Sequence, residues 1–188
     1  LLNRFYDEMS QAIAAHGGRI ESIYGDGLMA IFGLETTPAR AGMAAIAAAG
    51  DMMRAVEALN REYATALPLP LRIGIGIHGG PAIMGAVENE SIGRREITVG
   101  ETVMIASQLE AATRRLLSDI IVSAETVAAT GRSFPGLISY KIAIKGRDKP
   151  MQVFGFGGVP EKAPPAKGEP AAPRGKRPAK AEAEGDPD

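Results

Sequence analysis

Apolar residues recur every three or four positions through Leu2, Phe5, Tyr6, Met9, Ile13 and Ala14. That spacing predicts a helix over residues 1–16. The run His16-Gly17-Gly18 ends it, as glycines after a last turn do. "RIESIY" then alternates, and "GLMAIFG" is a short apolar run. Joined by Gly25-Asp26-Gly27, the two predict a β-hairpin. Residues 38–66 open on Pro38 and are rich in Ala and Met, which predicts a long helix. "LPLPLRIGIGIHGG" predicts a strand from Leu71 to His78, with "PAIMGAV" as its hairpin partner. "RREITVG" predicts a strand, "ETVMIASQLEAATRR" a helix, and "DIIVSAETVAAT" a strand then a helix. "YKIAIKGRDKPMQVFGF" predicts a closing hairpin around "GRDKP". The order is that of an α+β sheet domain with helices packed on the sheet.

Past residue 160 the large apolar residues disappear. "PEKAPPAKGEPAAPRGKRPAKAEAEGDPD" balances its basic and acidic residues and cannot bury enough surface to order itself. The expected organisation is a folded domain over 1–159 and a solvated Pro/Ala/Lys/Glu-rich tail over 160–188. The chain has 188 residues, 45% of them hydrophobic, and a formal net charge of −1. Such a balance gives no overall basic field for nucleic acid. Cysteine is absent, which excludes disulfides and thiolate metal sites. No apolar run approaches the roughly 18 residues of a membrane span. The amphipathic opening is not a signal peptide. Beginning at Leu1 without an initiator Met, the sequence reads as a piece of a longer polypeptide.

Asp26 is the one carboxylate between Tyr24 and Ile31 and lies between two glycines. From the turn alone it is a hairpin aspartate. Gly25 and Gly27 have two readings: they permit positive φ in the turn, or they let phosphates approach the backbone.

Four stretches, "HGGRIESIYGDGLMAIFG", "LRIGIGIHGG", "GRREITVGETVMIASQLE" and "IKGRDKPMQVFGF", together resemble the class III adenylate/guanylate cyclase catalytic domain in order and spacing. The resemblance covers Leu1 to about Gly158. It implies a ferredoxin-like sheet domain working as a head-to-tail dimer, with sites at the interface built from both chains. It also implies conversion of ATP or GTP into a 3′,5′-cyclic nucleotide and pyrophosphate, with two Mg²⁺ or Mn²⁺ ions held by two aspartates. Asp26 matches the second aspartate, and Gly25 and Gly27 flank it. The first would lie on a strand ahead of Leu1, so that part of the core sheet would be missing from this piece.

Several positions depart from the family pattern. Ser22 stands three residues before Gly25, where a purine-reading lysine is expected, and a hydroxyl has neither its charge nor its reach. Ile97 stands at the second purine-reading position, with Thr98 next to it. Met104 replaces the ribose-orienting asparagine, and Gln108 replaces the arginine that stabilises the transition-state phosphate. Their spacing keeps them on one helical face. Losing such a cation costs about 10³-fold in rate by analogy with arginine fingers. The metal side of the site is thus the side retained, as in one half of a heterodimeric cyclase. The alternative is an inactive cyclase-homology module acting as a nucleotide-binding, dimerisation or regulatory scaffold.

The expected setting is the cytoplasmic output domain of a signalling protein. Lys145 reads either as a phosphate contact or as a hairpin lysine in solvent. Arg94 and Arg95 read as a solvated pair or as part of an interface or phosphate approach, and Arg114 and Arg115 lie one to two turns beyond Gln108. His78 is expected to be a packed or hydrogen-bonded histidine, and His16 a helix cap. Met29, Met43, Met52 and Met53 are expected to fill the core.

Overall fold

The computed structural model describes residues 1–89 and 93–157. The expected tail at 160–188 lies outside them. The elements are α1 (Leu2–Ala15), β1 (Arg19–Tyr24), β2 (Gly27–Ile31), α2 (Pro38–Glu62), β3 (Ile75–Ile77) and β4 (Ile83–Asn89). They continue with β5 (Gly93–Val99), α3 (Glu101–Leu116), β6 (Ile120–Ser123), α4 (Ala124–Thr130), β7 (Ile138–Ile142) and β8 (Met151–Phe156). The architecture is α+β.

The central sheet has four strands in the order β3-β6-β8-β7. β3 and β6 run parallel, and β8 is antiparallel to both β6 and β7. Residues alternate between its faces, as a pleated strand requires. Ile121, Ile142, Met151 and Val153 pack with Ile105 and Leu109 of α3. Ile77, Ile120 and Val122 pack on the other side with Ala49 of α2 and Val127 of α4. β6 is buried along its whole length and is the strand most enclosed by this layering.

The "IGIGI" run shows how sequence sets the layers. Ile75 and Ile77 pack with α2. A Cβ at Gly76 would lie 2.2 Å from the Ala106 carbonyl oxygen, so only glycine lets α3 come this close. α2 begins with Pro38 in its first turn, and the Thr37 hydroxyl accepts from the Arg40 amide.

Two hairpins stand as separate two-stranded sheets, β1–β2 and β4–β5. This corrects the expected pairing of "PAIMGAV" with the strand before it. β4 pairs instead with β5, from Ile83 opposite Val99 to Asn89 opposite Gly93. β3 is also shorter than the expected Leu71–His78, because Asn60 of α2 takes both backbone polar groups of Leu71. α2 ends at Glu62 rather than residue 66, capped by Tyr63.

Candidate functional site

Asp26 occupies the exposed tip of the β1–β2 hairpin. Gly25 has φ +60, the left-handed conformation that a tight Asp-Gly turn uses. Gly27 does not, so the positive-φ reading belongs to Gly25 alone. The Tyr6 hydroxyl of α1 donates to the Gly25 carbonyl at 3.1 Å, which ties the turn to the first helix. No group of three His, Asp or Glu among the described residues could hold a metal ion. A Mg²⁺ site is normally built from one or two carboxylates plus phosphates and water. The described residues supply one carboxylate at this turn and no second, so by themselves they do not fit a two-ion centre.

Ser22 lies half-buried on β1, opposite Met29. Ile97 is 41% exposed on β5, opposite Gly85. Thr98 is turned the other way and buried, and its hydroxyl donates to Glu21 Oε1 at 2.6 Å. Its hydroxyl is therefore committed within the protein. Glu21 is a residue that motif reading passed over. Its signal in the sequence is faint: a lone carboxylate in an alternating strand.

Met104 and Gln108 share the face of α3 that lies along the β7–β8 loop. The Lys145 backbone amide donates to Gln108 Oε1 at 2.6 Å, and Gln108 Nε2 donates to the Lys145 carbonyl at 3.3 Å. Both ends of the Gln108 amide are thus used by one backbone residue. A Cβ at Gly146 would lie 3.6 Å from the Met104 methyl, so Met104 covers the next residue of the loop. Arg147 pairs with Glu101 at 3.8 Å and with Glu125 at 3.5 Å. The structure therefore joins Gln108 to Lys145. Among the described residues, no hydrogen bond or ion pair joins either to the Asp26 turn.

His78 follows β3, and its Nδ1 lies 2.8 Å from the Ser123 hydroxyl. Ser123 caps α4 and also meets the Thr126 hydroxyl at 2.9 Å. Burial pushes the His78 imidazole below its ordinary range; Glu125 opposes that effect and Arg147 adds to it. His16 is the C-cap of α1, as expected, through its backbone N–H, which donates to the Ile13 carbonyl at 3.2 Å; its side chain turns to another helix. Its Nε2 lies 2.7 Å from Asp51 of α2, which also pairs with Arg54. Arg94, Arg114 and Arg115 are exposed.

The sequence model of the adenylate and guanylate cyclase catalytic domain matches residues 1–156. The chain belongs to this family. An adenylate cyclase of Anabaena cylindrica is 32% identical over 162 residues, covering 81% of this chain and 31% of that protein. Adenylate cyclase 1 of Rhizobium meliloti is 31% identical over 130 residues, covering 68% of this chain and 19% of that protein. The chain thus spans less than a third of the length of these curated relatives. Among solved structures, the guanylyl cyclase Cya2 superposes with a TM-score of 0.71 at 27% identity, covering 85% of this chain and 80% of that one. The adenylyl cyclase CyaB of P. aeruginosa gives 0.70 at 26% identity, covering 85% and 82%. Similar proteins of this cyclase family thus carry both the adenylyl and the guanylyl name. No helix among the described residues is long and apolar enough to cross a membrane.

Proposed function

We propose that this cyclase domain is one half of a composite site that converts ATP into 3′,5′-cyclic AMP and pyrophosphate. It acts in intracellular signalling and is paired with a complementary cyclase chain. The observation that supports this most is the state of Gln108. It stands where the family pattern has the transition-state arginine, and both ends of its amide are spent on the Lys145 backbone. It brings no charge, and its carbonyl oxygen and one N–H of its Nε2 are engaged by the loop. Ser22, Ile97 and Met104 leave the purine and ribose groups equally unsupplied, so a partner must provide them.

In this reading Asp26 contributes a carboxylate at the interface, on a turn fixed by Gly25 and Tyr6. Divalent ions, when bound to a complete set of ligands, would activate the 3′-hydroxyl and polarise the α-phosphate. One carboxylate is not such a set, so no step is assigned to this chain's residues beyond that ligand. ATP is favoured over GTP by the two adenylate cyclases that are 32% and 31% identical to this chain.

A second reading rests on the same loop clasp: the domain is an inactive cyclase-homology module that binds a nucleotide or a cyclase partner as a scaffold. One assay separates the two. The natural full-length chain is incubated with ATP or GTP and Mn²⁺ or Mg²⁺, alone and with a class III partner whose own metal aspartates have been replaced. Cyclic nucleotide formed only in the mixture supports the composite site. Product from the chain alone overturns the role given to Gln108. A folded, paired mixture without product supports the scaffold.

A further inference from the structure

We infer that Glu21 is a positioning residue, docking the hairpin that carries Asp26 onto the β4–β5 hairpin through Thr98. β1 is irregular at this point: the register shifts between Ile20 and Ser22, so Glu21 is the extra residue of a bulge. Bulges re-aim side chains. Here the Glu21 side chain is turned inward and is only 3% exposed.

A buried carboxylate must find donors or it destabilises the fold. Glu21 finds one for each oxygen. Oε1 accepts from the Thr98 hydroxyl at 2.6 Å, and Oε2 accepts from Arg19 Nη2 at 3.1 Å. Arg19 also reaches Glu96 of β5 through Nη1 at 3.1 Å. Two hairpins that share no sheet are thus stitched together by one carboxylate, one hydroxyl and one guanidinium. A second tie on the β1–β2 hairpin is the Tyr6 bond at its tip. Tyr6 holds the turn to α1, and Glu21 holds the stem to β5.

The docking stands on this geometry alone; its consequence for Asp26 rests on the composite-site reading. The test therefore uses the natural full-length chain without nucleotide or partner. Amide hydrogen exchange is followed in the wild type and in Thr98→Val, Thr98→Ser, Glu21→Gln, Glu21→Ala and Glu21→Ala/Thr98→Val. Thr98→Val keeps the shape and removes the donor. It is expected to speed exchange in β1–β2 by about ten- to a hundredfold, the worth of a hydrogen bond to a charged group. β6 and β8 should stay unchanged. Thr98→Ser should restore protection, and the double variant should exchange no faster than the faster single one. Glu21→Gln keeps an acceptor for Thr98 and should fall between wild type and Thr98→Val. Unchanged β1–β2 exchange in Thr98→Val overturns the proposal. So does an equal rise across β6 and β8, which would make the network a general stabiliser. Should Thr98→Val not fold, Glu21→Gln with no change in β1–β2 overturns it as well.

Discussion

Glu21, Thr98 and Gln108 engage polar atoms inside the protein, whereas Asp26 sits on an exposed turn with no side-chain hydrogen bond among the described residues. That contrast separates what this chain offers a partner from what it uses to fold. His78 belongs to the second group, and its chemistry gives it a pH signature. Burial holds its pKa below the ordinary value of 6.5. The unfolded chain therefore takes up the proton first as pH falls. Stability is fully present above about pH 6.5 and is lost as pH falls through the lowered value. Urea midpoints of the wild type and His78→Gln, taken at about pH 7.5 and about pH 5.5, measure this. The wild type should lose more stability than the variant between the two. Equal losses would show that His78 titrates alike in both states.

At the scale of elements, much of the chain was legible and the failures share a cause. The first hairpin, α3 and the closing hairpin follow local rules: alternation, three/four spacing and turn residues at the crossing. The sequence points β4 to the wrong partner, because its apolar run follows "GIHGGP" so closely that a tight hairpin is the local expectation. β3 instead pairs in parallel with β6, Ile75 standing opposite Ile120. Alternation cannot show a parallel pairing across a helix. The candidate site was legible as a set of absent groups, since Ser22, Ile97, Met104 and Gln108 could be read as departures. What Gln108 does instead was not legible, because its partner is a backbone reached only by folding.

That clasp makes an element-level prediction. Gln108→Leu should cost about 1 kcal/mol in urea unfolding and speed exchange of the Lys145 amide. Gln108→Arg should do the same, because a guanidinium has no acceptor for that amide. An arginine placed here would therefore release the loop as well as add charge. Unchanged Lys145 exchange in both variants would show that the clasp carries no weight.

The whole molecule divides its labour between a packed body and two hairpins. The four-stranded sheet between α3 on one face and α2 with α4 on the other holds the core. The β1–β2 and β4–β5 hairpins stand apart from that sheet, joined through Glu21 and Thr98. They also present exposed apolar residues, among them Ile23, Tyr24, Ile83 and Ile97. The proposed pairing with a complementary cyclase chain would use such a surface, with Asp26 at its tip.

The most direct measurement is the effect of Asp26→Asn on cyclic nucleotide formation in the mixture with a complementary partner, with pairing of the two chains monitored alongside. The composite-site account predicts intact pairing and a loss of turnover by about a hundredfold or more, the scale of a lost metal carboxylate. Turnover unchanged by Asp26→Asn would contradict it and place the working carboxylates elsewhere.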